Sequence, residues 1–233
     1  MKGLKFLSVF LLVFVMFSCS ARIEGLVREG GSAEISVRAS LEPRTLSLLR
    51  SLRGFMGDER NTPVLNGETI SRSMAAAPGI RSASFRNIGQ EEIDGGISIS
   101  HIGGFLSPGD SSFITYTENE GINSVVMVLD MESAPKIIAM LSPEVEEYLS
   151  ALMAPAVLGD VMTKQEYLDA VASIYGRPLS DEISTARIRA VIGFPRQIIS
   201  VQGGTSRERR AEFDIPLLDV LVLEEPIRFE ITW

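Results

Sequence analysis

Ser32-Ala33-Glu34-Ile35-Ser36-Val37-Arg38-Ala39-Ser40-Leu41 alternates apolar and polar side chains along its length. Successive side chains of an extended strand point to opposite faces, so Ala33, Ile35, Val37, Ala39 and Leu41 share one apolar face. Glu34, Ser36 and Arg38 occupy the other, as expected of a strand with a core on one side only. The run before it, 22–29, also reads as a strand, and Gly30-Gly31 joins the two by a short connection of the kind that favours a primed hairpin turn. The end of the chain matches its beginning. Ile227, Phe229, Ile231 and Trp233 alternate with Arg228, Glu230 and Thr232, which predicts a final core strand.

Between these ends the pattern changes twice. Pro43 stands at a favourable first helical position, and Leu48, Leu52 and Phe55 line one face of the helix it opens. A second short helix is expected over 68–77, stopped by Pro78-Gly79. Strands are expected over 80–88, 96–106, 112–118 and 123–130. From 133 to 187 the reading is helical, over 134–141, 142–158, 163–175 and 180–186. Ser142-Pro143-Glu144 is a start signal, Thr163 with Glu166 makes a capping box, and Gly176 followed by Pro178 is a stop. Strands resume over 188–194, 197–202, 211–215, 217–223 and 227–233. The expected fold is α+β: a mostly antiparallel sheet built from both ends of the chain, with an inserted helical subdomain at 133–187. One mature domain, 19–233, accommodates this, and a division into two domains near 132 is the alternative.

The first residues have another purpose. A two-lysine start, Met1-Lys2-Gly3-Leu4-Lys5, opens the apolar run Leu4 to Phe17, and the chain's single cysteine, Cys19, follows it. A basic start, a short apolar run and small residues behind it make an export signal. The run is shorter than the roughly 20 apolar residues of a spanning helix. Met16-Phe17-Ser18-Cys19 resembles a bacterial lipoprotein lipobox, in the relaxed form found among spirochaetal lipoproteins. That resemblance implies removal of signal peptide 1–18 and a palmitate-like acyl chain on Cys19. It also implies an exported protein anchored to a membrane, on the periplasmic or outer-membrane face. An ordinary secretory peptide cleaved after Ala21 and an uncleaved anchor are the alternatives. Only Ser20 and Ala21 separate Cys19 from strand-like sequence, so the domain is expected to lie against the bilayer. The run 213–233, with the strand-Gly-Gly-strand-helix opening, also looks loosely like uncharacterised exported lipoproteins, and this implies no site residues.

Composition narrows the function. With Cys19 used for anchoring, the folded part has no thiol for a disulfide, a nucleophile or a thiolate metal site. The net charge is −8, and −10 once Lys2 and Lys5 are gone, which argues against nucleic acid as a partner. His101 is the only histidine. A general base paired with Ser100 is disfavoured because strand neighbours face opposite ways, and Ser98 shares the face of Ser100. The pairs Gly30-Gly31, Gly95-Gly96, Gly103-Gly104 and Gly203-Gly204 lack phosphate-loop spacing and read as turns or bulges. Glu91, Glu92 and Asp94 read as a solvated loop rather than a calcium site. Arg207, Arg209 and Arg210, interrupted by Glu208 and Glu212, read as a charged edge or turn.

Two stretches invite a functional reading. The methionine-rich segment Leu149–Met162, broken by Pro155, suits either packing of helices on the sheet or an adaptable surface for an envelope protein partner. The terminal Trp233 resembles the insertion signal of outer-membrane β-barrel proteins, which the helical middle contradicts. No catalytic residue, cofactor or metal ligand is expected, and Cys19 is the one site residue. The expectation is a lipid-anchored cell-envelope lipoprotein, not an enzyme, with a non-catalytic binding or structural role. The alternative is a small-molecule or lipid-binding module with a pocket between sheet and helices, and a weaker alternative is a carboxylate-based hydrolase.

Overall fold

The computed structural model describes residues 20–55, 63, 65–76, 79–102, 114–138, 153 and 161–233. The fold is α+β, with eleven strands and six helices among those residues. In chain order they are β1 (Ser20–Val27), β2 (Ala33–Ser40), α1 (Pro43–Phe55), α2 (Gly67–Ala75), β3 (Ile80–Ile88) and β4 (Glu92–Ile99). Then come β5 (Ile114–Asn119), β6 (Ile122–Leu129), α3 (Ser133–Ile138), α4 (Lys164–Tyr175), α5 (Arg177–Thr185) and β7 (Arg187–Gly193). The chain closes with β8 (Ser200–Gln202), β9 (Thr205–Arg207), β10 (Arg210–Pro216), α6 (Leu217–Val222) and β11 (Ile227–Thr232).

The strands divide between two sheets rather than one. A seven-stranded sheet runs β3-β4-β2-β1-β7-β10-β9, and a four-stranded sheet runs β5-β6-β11-β8. All pairings are antiparallel except β1 with β7, where the first strand meets one that follows the helices. The larger sheet thus joins the first strands to strands that follow the helices, while the final strand β11 lies in the smaller sheet. Its alternation produces two unlike faces. On one, Ile23 stands beside Val37 and Ala190, and Ala190 beside Phe213, in an apolar row. On the other, Arg86, Asp94, Arg38, Arg22, Arg189 and Asp214 lie side by side across six strands.

Gly203 explains how the chain passes from one sheet to the other. β8 belongs to the smaller sheet and β9 to the larger, with Gly203-Gly204 between them. Gly203 has φ +79°, and a Cβ there would stand 2.3 Å from the Arg228 carbonyl oxygen. Only glycine makes this corner without strain. The basic cluster follows as a tight β9–β10 hairpin, with Glu208 at φ 55°.

Several local expectations are corrected. The 217–223 run is a helix, α6, whose Leu217, Leu218, Val220, Leu221 and Val222 are all buried. A short run that is apolar apart from Asp219 carries too little period to tell helix from strand. Gly95-Gly96 is neither turn nor bulge, and the strand expected over 96–106 starts earlier, placing both glycines inside β4. The Gly30-Gly31 connection is wider than two residues: Arg28 N–H donates to the Ser32 carbonyl, and Glu29 joins the loop. The two-residue turn with both φ positive sits instead at Glu120-Gly121, between β5 and β6.

The helices obey their caps. Thr163 and Glu166 form the reciprocal capping box that starts α4, and Gly176, at φ 91°, ends it. The start of α1 is held from a distance. The Glu182 carboxylate of α5 accepts from Arg44 N at 3.2 Å, Thr45 N at 3.1 Å and Thr45 Oγ1 at 3.2 Å. An anion at these free N–H groups satisfies them and complements the helix dipole. We expect Glu182→Ala to lower stability by about 1 kcal/mol, read as a shift in urea midpoint at unchanged slope. An unshifted midpoint would show that water serves α1 equally well.

Candidate functional site: an apolar cavity between the sheets

The inner faces of the two sheets do not close on each other completely. A cavity of about 240 Å³ remains between them. From the larger sheet it is lined by Ile23, Ala33, Ile35, Ala190, Ile192 and Phe213, among others, and from the smaller by Ile114, Met127 and Phe229. Register puts these residues in layers. Ile114 pairs with Met127 and Met127 with Phe229, forming the roof, while Ile23, Ala190 and Phe213 form the floor. Phe213 and Phe229 meet edge to face across the gap at 5.3 Å between ring centres. Small residues at floor positions (Gly25, Ala33, Ala190) keep the space open where neighbouring positions carry isoleucine.

Volume decides what such a space can do. An apolar cavity of about 150 Å³ already holds benzene, and drug-sized pockets begin near 300 Å³. The cavity therefore suits one ring system or a single short alkyl chain.

Trp233 closes one side. It is 2% exposed, and its main chain exchanges two hydrogen bonds with Asn123, each of 2.9 Å. Phe194 packs on its indole at 4.7 Å between ring centres, and Tyr116 stands at 6.4 Å. Its Nε1–H is buried with no hydrogen-bond partner, the only such side-chain polar atom among the described residues. An unmet buried donor costs about 1–3 kcal/mol. The terminal strand β11 lies between β6 and β8, as expected of a core strand.

A second, wider cleft of about 810 Å³ is polar and adjoins Ser20 at the start of β1. Arg22, Arg38, Arg187 and Arg189 line it, but carboxylates answer them. Arg22 meets Glu24 at 2.8 Å, Arg38 meets Glu92 at 2.9 Å, and Arg187 meets Asp214 at 3.0 Å. The Arg187 hydrogen bond holds the Asp214 carboxyl below the usual carboxylate range. Such exposed pairs contribute little stability and leave little charge unspent for an anion.

The residues singled out from sequence are dispersed. Cys19 and Gly103-Gly104 lie outside the described residues, as does Leu149–Met162 apart from Met153, Val161 and Met162. Met153 is buried at 1% exposure. The imidazole of His101 lies over Gly31, where an added Cβ would stand 2.7 Å from Nε2. Glu92 and Asp94 belong to the ion-pair row, with Arg86 on Asp94 at 3.0 Å, rather than to a loop. No cluster of three or more metal-ligating side chains occurs among the described residues. The alternative reading places a pocket between sheet and helices; the wider polar cleft lies there, between β1, β2, β7 and α5, whereas the apolar cavity lies between the two sheets. Alternation marks Trp233 only as a core position, and Ile23 and Ala190 fall only within the strand runs 22–29 and 188–194. The small residues among isoleucines were the one available signal of a space.

No protein-family model matches the chain. No curated protein matches it either. Among solved structures, the NMR structure of the folded domain of the LppM protein of Mycobacterium tuberculosis is similar at 8% identity, covering 91% of this chain and 87% of that one, with a TM-score of 0.41. A likeness of that size says nothing about a site. No helix among the described residues is long and apolar enough to cross a membrane.

Proposed function

We propose that this chain is an exported envelope protein, tethered by an acylated Cys19, that binds a small apolar molecule between its two sheets without transforming it. The inter-sheet cavity carries this reading. It is contiguous and lined by aliphatic and aromatic side chains. Water gains little in such a space, whereas an alkyl ligand contributes about 0.8 kcal/mol per buried CH2. The absence of any activated nucleophile or acid–base pair in the lining favours binding over turnover.

The position of β1 supports the tether. Ser20 is already a strand residue, paired with Ser40 on one side and Arg187 on the other. A lipid on Cys19 would hold this end of the larger sheet at the bilayer surface, since one residue reaches only about 3.5 Å.

Two measurements test the two halves separately. Cells expressing the full chain, fed an alkyne fatty acid, should label it, and Cys19→Ser should lose that label completely. Equal labelling of the variant would remove the anchor. For the cavity, the chain from Ser20, which keeps every described element, should bind 1-naphthylamine, a single fused ring system, at one site per molecule. Failure to saturate, or many weak sites, would remove the binding role while leaving the anchor standing.

A further inference from the structure

The arginines of the larger sheet fall into two groups. Those in the cleft beside Ser20 are answered by carboxylates, whereas two at the opposite end of the strands are not. Arg207 and Arg210 face each other across the β9–β10 hairpin, and like charges set directly opposite destabilise a strand pair. Arg207 has no ion-pair partner among the described residues, and the carboxylate that Arg210 meets, Glu212, stands at 3.8 Å. Two exposed cations held together in this way lack an anion between them.

The cavity reaches the surface at the same end. Register puts Leu26 beside Gly193 and Gly193 beside Arg210, all on the polar face of the larger sheet. Leu26 nevertheless lines the cavity, and it is 43% exposed. A space lined from the inner face by Ile23 and from the polar face by Leu26 passes round the end of the strands to solvent. The Leu26 Cδ1 leans over Gly193, 3.2 Å from where a Cβ would stand. No side chain of β7 therefore separates this mouth from Arg210, two strand spacings or roughly 10 Å from Leu26. The carboxylates around Leu26 are already paired, Glu34 with Arg28 at 3.1 Å and Glu24 with Arg22 at 2.8 Å.

Resting on the binding role proposed above, we infer that the ligand is a single-chain amphiphile with an anionic head such as a carboxylate. Its alkyl chain lies between the sheets, and its head sits outside the mouth, at Arg207 and Arg210. The lining keeps the head out of the interior. Among the cavity-lining residues none carries a charged side chain, so an ion buried there would have no counter-charge. At the surface a carboxylate takes charge-assisted hydrogen bonds from the two guanidinium groups. A chain ending in ammonium is repelled by them, and one ending in hydroxyl gains no charge pairing.

Radiolabelled octanoate, 1-octanol and octylammonium are equilibrated by dialysis with the full chain in zwitterionic lipid nanodiscs at neutral pH, with empty nanodiscs as the blank. Octanoate should saturate at one molecule per chain, and octylammonium should bind at least about tenfold more weakly. Arg207→Gln with Arg210→Gln should weaken octanoate about tenfold and leave 1-octanol within about twofold of wild type. Both positions are exposed, and removing a like-charge pair leaves the hairpin no less stable. Ala190→Phe, which fills the cavity floor, should weaken octanoate and 1-octanol alike. If 1-octanol binds while octylammonium matches octanoate, or the double variant holds octanoate as well as wild type does, the anionic head is overturned and the binding role stands. Octanoate that binds Ala190→Phe undiminished has its chain elsewhere, which also overturns the assignment. If none of the three compounds binds, the binding role falls and takes this assignment with it.

Discussion

Gly95→Ala should cost about 3 kcal/mol or more, enough to leave the larger sheet only marginally folded at room temperature. A Cβ at this position would stand 2.2 Å from the Ser84 carbonyl oxygen and 2.5 Å from the Phe85 Cα. Both atoms are backbone of β3, so no rotamer change relieves the overlap. Gly95 also pairs with Val37 on the other side, which prevents β4 from moving away. Gly193→Ala is the matched control. Its nearest obstacle is the Leu26 Cδ1 at 3.2 Å, the end of a flexible side chain, and its cost should stay below about 1 kcal/mol. Urea denaturation of both variants reads the difference. A Gly95→Ala midpoint within experimental error of the Gly193→Ala midpoint would mean that β3 and β4 are not packed as closely as described.

The second large effect concerns the cavity itself. Ala190→Phe places a ring between Ile23 and Phe213 on the cavity floor, where the lining gives it apolar neighbours. Binding of 1-naphthylamine should fall at least about tenfold, since the ring occupies the ligand's volume and a ligand of this size has no second position. Stability should hold or rise by about 1 kcal/mol, a Tm increase of roughly 2–4 °C for a chain of this length. The pairing of lost binding with kept stability is what separates a binding cavity from a packing defect. A variant that binds as well as wild type would place the dye elsewhere. One that unfolds would show that the space is smaller than about 240 Å³.

Much of the secondary structure was legible because its period is local. Alternation over 32–41 and 227–233 marks β2 and β11 with their inward faces correct, and Thr163 with Glu166 starts α4 at its observed residue. What escaped is non-local. Sheet membership depends on pairings such as β1 with β7, more than 160 positions apart in register, and no local pattern encodes them. Gly95 and Gly203 look alike in sequence, yet one admits a neighbouring strand and the other turns a corner. The run 217–223, apolar apart from Asp219, shows too little period and was misread for that reason. The cavity was invisible for a related cause. It arises from side-chain volumes summed across two sheets, in which Gly25, Ala33 and Ala190 are each unremarkable alone. The unmet N–H of Trp233 follows from where the indole is buried, which composition cannot disclose.

Energy transfer from Trp233 to bound 1-naphthylamine tests the inter-sheet site most directly, because the donor is unique and lines the space. With the tryptophan excited in the chain from Ser20, added dye should quench its emission and brighten in parallel, saturating at one dye per chain and vanishing in Ala190→Phe. Dye that brightens with no loss of tryptophan emission, or quenching that persists in Ala190→Phe, would contradict a ligand held between the two sheets.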